Sequence, residues 1–359
     1  MGGMQGGRVA GLDAIRGLAI LLVMIRHAWP GQFGGAGVVG VTVFFTLSGY
    51  LITGIIVRDV ELRGGVDYRR FYVNRALRLL PALGLMLVFF VGVELLIGPD
   101  GGTVHLLVGT LTGLFYIQDF VPFLSYPGIN HLWTLAVEEQ FYLVWPLLLT
   151  FFLRRGRVNR LFAAAAGVCL ASVVASMLVL TRWFNVEAVY PLPNNWAVAL
   201  LVGGASYVHR DLLFERVFTP ARRGPCAALA LLVLTGLSVW PGAKANPATY
   251  LVWPSLIAAC TVALVFLALR DKPTPRVLRP IVGLGVISYG AYLWNGPIST
   301  WTQERLGWPQ QWHWIGIVLT VTAAIISWVA VEGPALRWKA RLNGRRRELA
   351  ERESSPLSR

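Results

Sequence analysis

Between Gly11 and Pro30 the chain reads GLDAIRGLAILLVMIRHAWP, an apolar stretch that carries Asp13, Arg16, Arg26 and His27. Charges on an apolar, bilayer-length helix are costly to insert, so each needs a partner or a chemical task. Arg16 and His27 are eleven residues apart, close to three helical turns. They therefore share one face, with about 16 Å between them along the axis. Arg26 sits about 80° around the helix from Arg16 and need not belong to the same site. Asp13 can pair with Arg16 at one end of the stretch. That pairing leaves His27 unexplained, and an imidazole inside a bundle is a candidate general base.

Four further stretches carry chemistry-bearing side chains. VTVFFTLSGYLITG (41–54) brings small residues, Gly40, Ser48, Gly49 and Gly54, to a second apolar run and allows close helix packing. Ser48 is either a nucleophile or a packing hydroxyl bonded to its own backbone. YRRFYVNRALRLLP (68–81) presents Arg75 and Arg78 on one helical face, two guanidinium forks suited to phosphate oxygens. HLWTLAVEEQFY (131–142) sets Glu138 and Glu139 inside an apolar run. A carboxylate there could orient the His27 imidazole, or neutralise Arg16 or Arg26. In GLGVISYGAYLWN (283–295), Ser288, Tyr292 and Asn295 follow helical spacing and could line a polar cavity or simply pack.

These stretches lie in a chain of 359 residues, 55% hydrophobic and 14% charged. Its mean hydropathy is +0.59. This composition belongs to an integral membrane protein. The net charge of +14 does not indicate nucleic-acid binding, because the Lys and Arg residues fall in short loops between apolar runs. Cys169, Cys226 and Cys260 all lie in apolar runs, and their number and spacing predict neither a disulfide framework nor a metal site. The first apolar run carries charges and no small-residue cleavage site, so no cleaved signal peptide is expected.

The apolar runs number eleven, and the basic loops at 58–80, 154–160, 209–224, 270–280 and 335–359 are assigned to the cytoplasm. The run at 104–120, which contains Gln118 and Asp119, then begins and ends on one side. It is expected to be re-entrant or interfacial. The predicted fold is all-α: a polytopic bundle of about ten transmembrane helices plus that segment, with both termini cytoplasmic. Residues 1–337 form the transmembrane domain and 338–359 a basic cytoplasmic tail on the anionic leaflet. The motif at Glu332 and Pro334 is expected to end the last helix.

Taken together, the motifs resemble the acyltransferase 3 family of membrane O-acyltransferases. The resemblance rests on Arg16 with His27, FFTLSGYL (44–51), RALRLLP (75–81), WTLAVEEQFY (133–142), SYGAYLW (288–294) and EGPALR (332–337), in family order from Gly11 to about Arg337. It departs in two places: Thr134 replaces the usual serine, and Asn295 stands where many members have histidine. The resemblance implies transfer of an acyl group, acetyl foremost, from acyl-CoA as co-substrate, with no permanently bound cofactor. The acceptor would be a hydroxyl of a cell-envelope carbohydrate or glycoconjugate, or of a small secondary metabolite such as a macrolide. Catalytic roles are implied for His27, Arg16 and Glu138, and acyl-CoA binding for Arg75 and Arg78. Asp13, Ser48, Trp133, Ser288, Tyr289, Tyr292 and Asn295 are candidate pocket residues, and no metal is expected. No appended SGNH-type hydrolase domain is expected either.

Elementary chemistry points the same way. Arg75 and Arg78 would hold the CoA phosphates at the inner face, and the pantetheine arm would reach into the bundle. His27 would deprotonate the acceptor hydroxyl, or become acylated itself. A proton-coupled transporter or flippase also places charges among its spans, but the paired arginines at 75 and 78 have no evident use there. The expected location is the cell membrane.

Overall fold

The structure is a computed structural model and describes residues 9–180, 182, 186–269 and 275–341. The described residues are helical, with no strand among them. In chain order the helices are α1 (Ala10–Ala28), α2 (Ala36–Arg63), α3 (Tyr68–Ile97), α4 (Gly102–Leu114), α5 (Trp133–Arg154), α6 (Val158–Leu180) and α7 (Asn194–Val208). They continue with α8 (Arg210–Arg216), α9 (Arg223–Ser238), α10 (Ala248–Leu251), α11 (Trp253–Ala268), α12 (Arg279–Val286), α13 (Ser288–Ser299) and α14 (His313–Ser327). Two π-helical segments, Thr300–Arg305 and Trp328–Glu332, follow α13 and α14.

The distribution of apolar surface requires a lipid environment. The most apolar stretch of helix α6 has a mean hydropathy of 2.3, yet only 6% of it is buried within the protein. Leu170 and Leu178 point outward with Val168. An apolar helix of 23 residues, uncovered by its own protein, has hydrocarbon as its natural neighbour. Among the described residues, five stretches are long and apolar enough to cross a bilayer: Ala36–Arg63, Tyr68–Ile97, Asn130–Arg154, Val158–Leu180 and Gln310–Arg341. Two bent pairs, α7 with α8 at 77° and Arg276–Val286 with Ser288–Arg305 at 68°, raise this to seven.

The difference from ten crossings has physical causes. Helix α1 is long enough but carries three charged side chains, Asp13, Arg16 and Arg26, and it is covered by α2, α11, α12 and α13 instead of by lipid. Helices α9 and α11 have 16 residues each. That is about 24 Å of helix against a hydrocarbon core of about 30 Å. Helix α4, within the expected re-entrant segment, has 13 residues and reaches only about 20 Å. Its end is fastened to α5, where Gln140 donates to Tyr116 O and to Asp119 Oδ1.

Close packing around α1 and α2 depends on glycine. A Cβ on Gly17 would fall 1.9 Å from Ile281 O of α12, and one on Gly285 1.8 Å from Asp13 O. Between α2 and α7, Gly49 lies against Leu200 O and Gly203 against Thr46 O at comparable separations. Backbones this close leave no room for any side chain. These contacts set the register of α1 against α12 and α2 against α7, and so place the polar side chains that α1 and α2 carry.

One expected boundary is corrected. The chain does not leave the helix at Glu332 and Pro334 but stays helical through Arg341. The π segment explains this: Gly333 N–H already bonds to Trp328 O, so the α-helical register is broken before the proline arrives. Of the expected basic tail, residues 342–359 lie outside the described residues.

Candidate active site

Two cavities meet at the middle of the bundle. The larger, about 740 Å³, is lined by Arg26, His27, His131, Tyr190, Lys244 and Gln303, among others. The smaller, about 140 Å³, is lined by Arg16, Ser48, Arg75, Arg78, Glu138 and Tyr289, among others. Val41, Thr134 and Tyr292 line both. Helix α1 therefore spans the pair, with Arg16 on the arginine cavity and His27 on the larger one. This is what the eleven-residue spacing on one helical face requires.

His27 is half-buried, and its Nδ1–H donates to Asn295 Oδ1. Amide oxygen can only accept, so the proton sits on Nδ1 and the lone pair on Nε2. The backbone is held as well, because Gln303 Nε2–H donates to His27 O at 3.1 Å. The imidazole thus has a fixed tautomer and one basic nitrogen, as a general base needs. Asn295, 2% exposed, does not line either cavity and acts through the ring it holds.

Glu138 does not orient His27. It accepts from Ser48 Oγ at 2.8 Å and lines the arginine cavity, on the other side of Tyr292. Helix α5 explains the separation: Thr134 reaches the partition, and Glu138, one turn further on, points past it. Ser48 is correspondingly neither a nucleophile paired with an imidazole nor a hydroxyl bonded to its own backbone. Glu139 pairs with Arg75, with contacts of 3.0 Å to Nε and 2.6 Å to Nη2. The same guanidinium lies 3.1 Å from the centre of the Tyr142 ring. Arg78 is exposed, lines the same cavity, and forms no hydrogen bond or ion pair with the described residues. Arg16 is tied to Asp13 at 3.2 Å, and Asp13 lines neither cavity.

The remaining expected pocket residues divide between the cavities. Trp133 lines the larger one and Ser288 and Tyr289 the smaller. Ser288, Tyr292 and Asn295 are all buried on one helix, α13, which begins at Ser288 after a sharp bend from α12. Tyr292 OH meets Thr134 Oγ1 at 2.5 Å, and both hydroxyls reach the carbonyl oxygen of His131, at 2.9 and 3.1 Å.

Several residues at the larger cavity were not singled out from the sequence. His131 is 8% exposed, and no side chain among the described residues hydrogen-bonds to its ring nitrogens. Its ring packs where a Cβ on Gly296 would fall, 2.3 Å away, so consecutive residues of α13 seat both histidines. Its signal was its place two residues before Trp133, at the head of a recognised motif. Lys244 lies 4.0 Å from the Tyr190 ring centre. Burial, with Arg26 beside it, pushes its ammonium down to about 8. Beneath the cavity, fully buried Glu94 accepts from Tyr126 OH, Trp301 Nε1 and Arg305 Nη2 at 2.7 to 2.8 Å. Arg305 also pairs with Asp100 at 2.7 Å. This network ties α3, the 122–132 segment and the π segment that carries Gln303. Among the described residues, no group of three His, Cys, Asp or Glu side chains could hold a metal ion.

Comparison with known proteins shows the family. A family model described as an acyltransferase domain, Acyl_transf_3, matches residues 9–332. The chain is 31% identical over 351 residues to a putative peptidoglycan O-acetyltransferase, YrhL, of Bacillus subtilis, covering 91% of this chain and 54% of that one. It is 27% identical over 339 residues to the peptidoglycan O-acetyltransferase OatA of Listeria monocytogenes, covering 89% and 54%. It is 24% identical over 347 residues to the O-acetyltransferase OatA of Staphylococcus aureus, covering 90% and 56%. The chain spans about half the length of these curated relatives. No solved structure matches it. With its motifs in order over nearly the whole chain and a family match across residues 9–332, this multi-pass membrane protein belongs to the acyltransferase 3 family.

Proposed function

We propose that the protein is a membrane O-acyltransferase that moves an acetyl group from acyl-CoA to a hydroxyl of a cell-wall glycan. The observation that carries this reading is the pair of abutting cavities, one bearing arginines and the other bearing His27, with a shared wall of three residues. CoA is a polyanion, and Arg78, without an ion-pair partner among the described residues, offers its phosphates a guanidinium fork. In this reading the arginine cavity faces the cytoplasm and receives the pantetheine arm. The larger cavity receives the glycan from the opposite side. Ten crossings with both termini in the cytoplasm fit that arrangement, because every strongly basic loop then faces inward.

His27 Nε2 would take the proton of the acceptor hydroxyl as its oxygen attacks the thioester carbonyl. The C–O bond forms, the C–S bond breaks, and the CoA thiolate leaves. The proton held by His27 then passes to that sulfur, so the ring returns to its starting state. Asn295 holds the ring for this step without adding the charge stabilisation a carboxylate would give. The peptidoglycan acceptors in the names of the relatives, and a cavity of about 740 Å³, both favour a saccharide over a small alcohol.

The test is transfer from radiolabelled acetyl-CoA to soluble cell-wall glycan by the protein purified into liposomes. The wild-type protein should label the glycan and His27→Gln should not, while both still bind acetyl-CoA. Label that stays on the wild-type protein without acceptor, and survives denaturation, would replace the general base with an acyl-histidine. Near-wild-type turnover by His27→Gln would remove His27 from the chemistry.

A further inference from the structure

We infer that Thr134, Val41 and Tyr292 set which acyl chain the enzyme transfers. The inference rests on the acyl-CoA reading above and goes beyond it by naming the side chains that meet the end of the acyl group. These three residues are the ones common to the linings of both cavities. A donor held on the arginine side must present its carbonyl carbon to a hydroxyl on the His27 side, and so must place its acyl group against this wall.

The wall is built not to yield. Val41 is 6% exposed, Thr134 5% and Tyr292 8%. Val41 and Thr134 are β-branched and stiff at χ1. Tyr292 cannot swing easily, because its hydroxyl meets Thr134 Oγ1 at 2.5 Å and the carbonyl oxygen of His131 at 2.9 Å. Its ring is also braced edge-on by Phe44, 6.4 Å away, and flanked by His131 at 5.2 Å. The residues come from three helices, α2, α5 and α13, so none moves alone. The cavity on the donor side holds about 140 Å³. A pantetheine end that fills it leaves room for a short acyl group, and each added methylene would press on a packed wall. Side chains held in fixed rotamers by hydrogen bonds and ring contacts resist such a clash.

The experiment measures kcat/KM for acetyl-, propionyl- and butyryl-CoA with the purified protein in liposomes. It compares wild type with Thr134→Ser, Val41→Ala and Ile55→Ala. Ile55 lines the arginine cavity away from the wall. The readout is the ratio between donors within one preparation, so partial misfolding of a variant cancels. Wild type should prefer acetyl over propionyl by about tenfold or more, the discrimination a methylene supports. Thr134→Ser, which removes one methyl group, should shift that ratio about tenfold toward propionyl. Val41→Ala should extend the range to butyryl. Ile55→Ala should leave the ratios as they are, whatever it does to the rate. Ratios unchanged in both wall variants overturn the inference while acyl transfer stands. So does an equal relaxation in Ile55→Ala. A wild-type protein that transfers none of the three groups overturns the acyl-CoA reading and this inference with it.

Discussion

Asn295→Ala is the most informative single substitution at the site. Asn295 is 2% exposed, lines neither cavity, and touches the proposed chemistry only through its bond to His27 Nδ1. Removing the amide leaves a ring N–H in a buried position without an acceptor, which costs about 1–3 kcal/mol. The ring can recover part of that by changing tautomer or turning, and either response takes Nε2 out of position. If the cost falls on the transition state, kcat should drop about 5- to 150-fold. KM for acetyl-CoA should not move, because Arg75 and Arg78, the proposed phosphate contacts, lie across the partition. The assay is initial-rate transfer of radiolabelled acetyl groups in liposomes, with His27→Gln and the double variant alongside. Residues that act as one unit are non-additive, so Asn295→Ala should cost almost nothing further once His27 is gone. Asn295→Asp keeps an oxygen acceptor and should retain most of the rate. An Asn295→Ala protein with wild-type kcat, or a fully additive double variant, would refute the claim that this amide sets the state of His27.

Other consequences follow from the same geometry. Arg78→Ala should raise KM for acetyl-CoA without changing acceptor affinity, since Arg78 has no partner to lose among the described residues. Arg75→Ala should in addition lower stability in a heating assay, because Glu139 would be left as an unpaired carboxylate inside the bundle. Glu94→Ala should destabilise the protein by about 1–3 kcal/mol, because Tyr126 OH and Trp301 Nε1 lose their acceptor while Arg305 keeps Asp100, and aggregation on heating should report it. Wild-type heat resistance would show the network to be dispensable. Single cysteines placed near Gly101 and near Ser125, on either side of α4, should both label from outside intact cells with an impermeant thiol reagent. Labelling from opposite sides would make α4 a crossing and change the ten-span arrangement.

What the sequence disclosed, and what it hid, divides along physical lines. The apolar runs announced a membrane bundle because hydrocarbon imposes a composition that no packing detail can mask. The spacing of Arg16 and His27 correctly placed the two on one face of one helix, since helical geometry is local. The partner of His27 could not be read the same way. Glu138 and Asn295 both lie on helices that α1 can meet. Which of them reaches the ring depends on close backbone approaches such as Gly17 against α12, which fix rotation to within a residue. A carboxylate is the stronger electrostatic candidate on paper, so residue type alone favours Glu138. The fold instead gives the histidine a neutral amide and leaves the carboxylate with Ser48 among arginines.

The basic residues behave in the complementary way. Most of the Lys and Arg residues follow the charge bias of membrane loops and need no individual explanation. Arg182, Lys244 and Arg305 lie in the other loops: Arg182 is exposed, Lys244 lies over Tyr190 at the larger cavity, and Arg305 is held by Glu94 and Asp100 beneath it. A topology rule is an average over residues with no particular partner. Residues that violate it at a cost are where a specific interaction has outweighed the average. The amino-acid pattern flags residues 182, 244 and 305 alike, and the fold gives specific partners to the last two. It does not flag His131, because its neutral ring obeys every rule of composition. Its place against Gly296 and Tyr292 is a property of packing that no composition records.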